Sequence, residues 1–344
     1  MKKPAERPDT YAKAGVDFRK EDRTIRNIQN WVRRTFAYRE GKTGAVMVDV
    51  GSFANLIDMG DYALAFCTDG VGSKVLVAQE LEKYDTIGID CVASNVNDAI
   101  CVGAEPISMV DYLAMSHTND EIARDISKGL HDGAKEAGIA IVGGETASLP
   151  DIITGVENRG FDLAAAVIGI VRKDKIITGE KIEPGDAILG FKSSGIHTNG
   201  LTLARKVLPK NMWMNLLAPT RIYVKEALEL FGRYDVHGMA HITGGGFLNL
   251  CRLTNYGFRL EHMPEPQMVF KKIQELGRIT DQEMYKTFNM GIGLCAIVSE
   301  ADGKDIVAKY GKRFDLMMIG RIVQEPGVTI RHKDAEFALE RVIY

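Results

Sequence analysis

Apolar runs of strand length alternate with amphipathic helical stretches along the whole sequence, and short glycine-bearing loops close the strands. A chain patterned this way must bury its strands under helices, which restricts it to layered mixed sheets. Residues 62–68 read as a buried strand that stops at Asp69-Gly70-Val71-Gly72-Ser73-Lys74, and residues 107–115 as another. Residues 120–137 carry Ile122, Ile126, Leu130 and Ala134 at helical spacing, and Gly138 suits the left-handed position that ends such a helix. Residues 139–142 run as a strand into a loop, Gly143-Gly144-Glu145-Thr146, and residues 161–171 form a further strand. Ahead of these, Asp17 is placed to cap a helix carrying Ile25, Ile28, Val32 and Phe36 on one face.

Two polar stretches, 172–175 and 179–185, put a domain boundary near residue 173. The expected division is an N-terminal domain of residues 1–172 and a C-terminal domain of residues 173–344. Beyond the boundary, residues 187–191 read as a strand ending in Ser193-Ser194-Gly195-Ile196-His197-Thr198-Asn199-Gly200. Helices follow from about Leu201 and Tyr223. A second loop, His241-Ile242-Thr243-Gly244-Gly245-Gly246, opens onto a predicted helix over 247–253, and strands recur at 292–299 and 315–322. The fold class expected is α/β, of the α+β type, in two domains.

Composition removes several functional classes. Lys and Arg number 43 against 46 Asp and Glu, a formal charge of −3, so no basic excess points to nucleic acid. No stretch approaches the ~20 apolar residues of a spanning helix, and the opening residues lead into no apolar run, so neither a membrane partner nor a signal peptide is expected. The five cysteines are scattered among apolar neighbours without Cys-x-x-Cys spacing, as in a reduced, cytoplasmic protein. Glycine is the unusual count, 35 of 344 residues, above the ~7% that is usual.

Residues 85–103 read as a mostly apolar helix. Yet Asp90, Ser94, Asn97 and Asp98 fall at i, i+4, i+7 and i+8, a single polar stripe. On its own the segment allows a bland reading, with Asp90 as a cap and the others facing water. Acids beside glycine recur, however, at Asp69-Gly70-Val71-Gly72 and at Gly143-Gly144-Glu145-Thr146, with Asp111 within a strand. Converging carboxylates call for a cation, hard oxygen ligands favour Mg²⁺, and neighbouring glycines let backbone N–H groups approach phosphate. The pattern therefore suggests a Mg²⁺-polyphosphate site. In the second half, the loops 193–200 and 243–246 place small residues where orphan N–H groups favour an anion, or where a turn is merely capped. His197 and His241 lie in these loops and are the histidines placed for proton transfer. No P-loop, Rossmann glycine pattern or zinc-ligand spacing occurs.

The residues quoted carry a resemblance. Residues 11–17, 68–74, 85–90, Val96-Asn97-Asp98, 103–106 and Asp111-Tyr112 look like signatures of the phosphoribosylformylglycinamidine cyclo-ligase family, also called aminoimidazole ribonucleotide synthetases. So do 143–147, 193–200, 217–225, 241–246 and 285–291, in the family's order. The resemblance implies a two-domain fold whose N-terminal sheet pairs with a second subunit in a homodimer. It also implies an ATP-dependent ring closure of formylglycinamidine ribonucleotide in purine synthesis. By that pattern Asp69, Asp90, Asn97, Asp98 and Glu145, with Lys74, Gly70, Gly72, Gly143, Gly144 and Thr146, serve ATP. Asp69, Asp90, Asp98 and Glu145 would hold Mg²⁺, with Asp69 also catalytic and Asp111 a weaker candidate. Ser193, Ser194, Gly195, His197, Asn199 and Gly200, with Thr243, Gly244, Gly245 and His241, would face the other substrate. Two places depart from the pattern: Gln29 stands where a lysine is frequent, and Val50-Gly51-Ser52-Phe53-Ala54 replaces a more glycine-rich segment. The alternatives are a sister ATP-dependent enzyme of the same superfamily, such as a thiamine-monophosphate kinase, or a non-catalytic ATP-binding regulator.

Overall fold

The computed structural model describes residues 18–333 and 335–339. The expected cap at Asp17 and the 11–17 motif lie outside the described residues. Helix α1 (Phe18–Val32) ends at Val32 and continues as a 3-10 helix over Arg33–Arg39. Ile25, Ile28 and Val32 are all solvent-exposed in the single chain, and Trp31 beside them is 70% exposed.

Five strands build the N-terminal sheet: β1 (Asn55–Asp58), β2 (Tyr62–Gly70), β3 (Glu105–Met115), β4 (Ala140–Ser148) and β5 (Phe161–Arg172), in the spatial order β1-β2-β5-β3-β4. Three helices accompany them: α2 (Lys74–Leu81), α3 (Ile87–Ile100) and α4 (Asp120–Ala137). Helix α4 begins where its sequence says, because the Asn119 side chain accepts from the Glu121 and Ile122 N–H groups, and ends on left-handed Gly138. Helix α3 packs between the sheet and α4. Its Gly88 lies so close to α4 that a Cβ there would come within 2.1 Å of the Leu130 nitrogen, which lets the two backbones touch.

Alternation sorts the sheet into two faces. Ala63, Ala65, Leu163, Val167, Met109 and Leu113 are buried toward the helices. The opposite face carries no helix among the described residues and leaves Phe66, Val110 and Tyr112 exposed, with Val142 at the edge 66% exposed. The 143–146 segment is a correction to the sequence reading. It is not a loop but the middle of β4, paired in parallel with β3. Glycine did not end the strand because β3 supplies the backbone partners.

The C-terminal sheet has seven strands: β6 (Ala187–Lys192), β7 (Gly238–His241), β8 (Gly257–Leu260), β9 (Ile292–Val298), β10 (Leu316–Val323), β11 (Gly327–His332) and β12 (Ala335–Leu339), in the order β12-β11-β8-β10-β6-β9-β7. Helices α5 (Leu201–Val207), α6 (Val224–Phe231), α7 (Met268–Gly277), α8 (Asp281–Thr287) and α9 (Glu300–Tyr310) complete this half. The second glycine loop opens onto a 3-10 helix, Gly246–Arg252, rather than the α-helix the sequence suggested. None of the five cysteines is in a disulfide, and Cys91, Cys101 and Cys295 are buried. No described helix is long and apolar enough to cross a membrane.

Candidate active site

Helix α3 is buried along almost its whole length, including Asp90, Ser94, Asn95 and Asn97. The bland reading of its stripe therefore fails: Thr86, not Asp90, is the N-cap residue, and the polar side chains do not face water. They bond instead to the C-terminal half. Asp90 Oδ1 accepts from the Thr220 N–H at 2.8 Å and from the Thr220 hydroxyl at 2.6 Å. The Ser94 hydroxyl lies 3.3 Å from that of Thr198. Asn97 donates to the Arg221 carbonyl at 2.8 Å and accepts from the Tyr223 N–H at 3.0 Å. Asp98 Oδ1 lies 2.9 Å from His241 Nδ1. Polar groups taken out of water need partners, and here the partners sit on the other domain.

Lys74 also ends in this seam. Its ammonium lies 2.8 Å from both Asp90 carboxylate oxygens and 2.7 Å from the Ala218 carbonyl, and both charged side chains are fully buried. Burial pushes the Asp90 carboxyl up and the Lys74 amine down, while each charge works against the shift of the other. The Asp90 carboxylate is thus neutralised inside the protein.

Asp69 is in the opposite position. It stands at the end of β2 on the helix-covered face, where burial and the nearby Asp98 push its carboxyl up to about 6, against a Gly70 N–H bond and the pull of His241. Among the described residues no lysine or arginine is paired with it. Its strand is fixed by a residue the sequence reading missed. Asn95, fully buried on α3, accepts from the Asp69 N–H at 3.0 Å and donates to the Asp69 carbonyl at 3.1 Å. An asparagine one residue off a polar stripe gives no signal in sequence.

His241 and His197 both reach this region. His241 is buried, with Nδ1 on Asp98 and Nε2 without a partner among the described residues. His197, at a left-handed φ of 61°, turns Nε2 back onto the Ser194 N–H at 3.3 Å, while its buried Nδ1 has no partner. Burial, with the nearby His241, holds its imidazole well below the usual range, so it is neutral. The two glycine loops meet here: a Cβ on Gly244 would lie 3.1 Å from Asn199 Oδ1. Gly200, at φ +76°, could carry no side chain, since a Cβ would fall 2.2 Å from the Phe288 ring. Ser193 is held by Asn289 and Gln267, Ser194 by the Pro219 carbonyl, and Thr243 by Asn249.

The structure does not bring the four expected metal ligands together. Asp69 and Asp98 converge and Asp90 is engaged by Lys74. Glu145 registers with Tyr112 on the helix-free face of the sheet, while Asp69 and Asp111 both register with Ala165 on the covered face. Among the described residues no three His, Cys, Asp or Glu side chains form a metal cluster.

Comparison with known proteins agrees with this architecture. A phosphoribosylformylglycinamidine cyclo-ligase of Pyrococcus furiosus is 51% identical over 339 residues, covering 95% of this chain and 99% of the relative. One from Methanocaldococcus jannaschii is 47% identical, covering 91% and 92%. Among solved structures, a hydrogenase maturation protein HypE in complex with ATP superposes with a TM-score of 0.62 at 20% identity, covering 82% of this chain and 85% of that one. A thiamine-monophosphate kinase from Stenotrophomonas maltophilia gives 0.61 at 19% identity, over 88% and 95%. These two show a shared fold. The description "AIR synthase related protein, N-terminal domain" matches residues 51–171 and the corresponding C-terminal domain matches residues 183–333, so the chain belongs to the AIR synthase related family.

Proposed function

We propose that this protein closes the imidazole ring of 5-aminoimidazole ribonucleotide from formylglycinamidine ribonucleotide, converting ATP to ADP and phosphate. The observation that carries the reading is near-full-length identity of about half to relatives bearing the cyclo-ligase name. The geometry at the seam suits the chemistry. Phosphoryl transfer needs positioning and electrostatic stabilisation rather than a covalent nucleophile. The formyl oxygen attacks the γ-phosphorus and ADP leaves. The amidine nitrogen then attacks the activated carbon, phosphate departs, and the nitrogen gives up a proton.

His241 is the group we assign to that proton. Asp98 fixes its Nδ1, leaving Nε2 as the free acceptor, the arrangement of an oriented base. Asp69 and Asp98 fit Mg²⁺: the nearby Asp98 adds to the cost of ionising Asp69, and Mg²⁺ is commonly held by one or two carboxylates plus substrate phosphates. Bound there, the metal would neutralise charge on the transferring phosphoryl group. Asp90 and Lys74 have no part in that set, because their charges satisfy each other. The 193–200 and 243–246 loops would hold the ribonucleotide, with the unpartnered His197 Nδ1 available to a substrate donor.

We further assign the helix-free sheet face and the apolar face of α1 to a homodimer. Exposed apolar residues in a continuous sheet face mark an interface. Gly143, Gly144, Glu145 and Thr146 on edge strand β4 would join a nucleotide site only across that contact. Purified protein given ATP, Mg²⁺ and formylglycinamidine ribonucleotide should yield 5-aminoimidazole ribonucleotide, and failure to form it would sink the reading. Absence of ADP formation with thiamine monophosphate would exclude the kinase alternative.

A further inference from the structure

The outer edge of β2 changes partner along its length. Strand β1 pairs with it only from Ala63 to Phe66, so beyond Phe66 the peptide groups on that edge have no neighbouring strand among the described residues. At Asp69 the gap is filled by the Asn95 side chain. Its Oδ1 accepts from the Asp69 N–H and its Nδ2 donates to the Asp69 carbonyl, the two bonds a neighbouring strand would make. The same Nδ2 also donates to the Cys91 carbonyl at 2.9 Å, one turn back on α3, which fixes the amide's orientation. Asn95 is fully buried, and every polar atom of its side chain is used.

We infer that Asn95 is a positioning residue: it substitutes for a strand at the open end of β2 and sets where the Asp69 carboxylate stands relative to Asp98 and His241. The inference rests on the assignment of Asp69 to the reacting site made above. The argument is one of attachment. Asp98 belongs to α3, and His241 is tied to α3 through Asp98. Asp69 belongs to the sheet and, besides its ladder to β5 and the Gly70 N–H on its own carboxylate, is bonded to α3 by the Asn95 side chain, while the Cys67 thiol two residues back donates to the Asn95 carbonyl at 3.3 Å. The Asn95 amide therefore makes the direct bonds that reference the sheet carboxylate to the helix that holds the other two groups. Buried backbone groups left without partners cost free energy and turn toward any available water, so removing the amide loosens β2 at Asp69, which is then held from the β5 side only. A displacement of about 1 Å in a positioned group can cost on the order of 100-fold in rate.

The test compares Asn95→Leu, of similar size but without hydrogen bonds, with Gln79→Leu. Gln79 is a second buried amide of the N-terminal domain, accepting from the Val156 N–H away from the seam. Both variants should lose thermal stability. Only Asn95→Leu should lose kcat, about 100-fold, with KM for ATP and for the ribonucleotide each within about threefold of the parent. Should Asn95→Leu not fold, Asn95→Ser read in the same assay decides, with a kcat loss of at least tenfold expected. A kcat within threefold of the parent in the Asn95 variants, or an equal kcat loss in Gln79→Leu, overturns the positioning role. Asp69→Asn is assayed alongside: full activity there overturns the assignment of Asp69 itself, whereas an inactive Asp69→Asn beside active Asn95 variants removes only the clamp.

Discussion

Asp69 and Asp90 come from the same sequence pattern, an acid at an element end near glycine or an apolar helix, and the fold treats them in opposite ways. Asp90 is fully buried and met by a lysine and two Thr220 donors. Asp69 is less deeply placed, faces another carboxylate and is met by no cationic side chain among the described residues. A carboxylate that the protein neutralises serves the fold, whereas one it leaves uncompensated is held ready for something that arrives. Charge type and burial are thus insufficient to separate structural from functional acids, and the partner decides.

Replacing Asp69 with Asn should lower kcat on the order of 10³-fold with no loss of melting temperature, because a source of repulsion has gone. A clear loss of stability instead would place Asp69 with Asp90. Lys74→Met should do the reverse through stability, costing about 3–5 kcal/mol by stranding a buried charge, while Lys74→Met with Asp90→Leu should recover part of it. Denaturant unfolding of the three proteins measures this, and equal losses in single and double variants would dissolve the pair. His241→Gln should reduce kcat by about 10²-fold, and Asp98→Asn should resemble it in steady-state assays if the two act as a unit. Gly200→Ala should destabilise by roughly 1–3 kcal/mol through overpacking against Phe288. The smallest effect concerns acid. His197 is held neutral in the fold, so the unfolded chain takes up its proton first, and stability should fall as pH drops below the ordinary imidazole range near 6.5. Replacing His197 with Asn should flatten that fall in a pH series of melting curves.

Helix α4 was legible because its apolar residues recur at helical spacing between Asn119 and Gly138, so a local signal sufficed. Helix α2 was not, since Lys74, Val75, Val77, Ala78 and Gln79 are all buried and no periodicity separates an inside from an outside. The stripe on α3 was legible as a set of polar groups needing partners. Which partners they take was not, because Thr198, Thr220, Arg221, Tyr223 and His241 lie more than 100 residues further along the chain. The position of Glu145 failed for a different reason: a one-residue step along β4 decides its face, and that register is set by β3.

Because one helix of the N-terminal half is bonded at Asp90, Ser94, Asn97 and Asp98 into the other half, the two sheets do not melt as separate bodies. Parting them exposes a buried ion pair and strands several amide and carboxylate groups at once, a step too costly to precede unfolding of either sheet. Calorimetry should therefore register a single cooperative transition from a chain that contains two sheets.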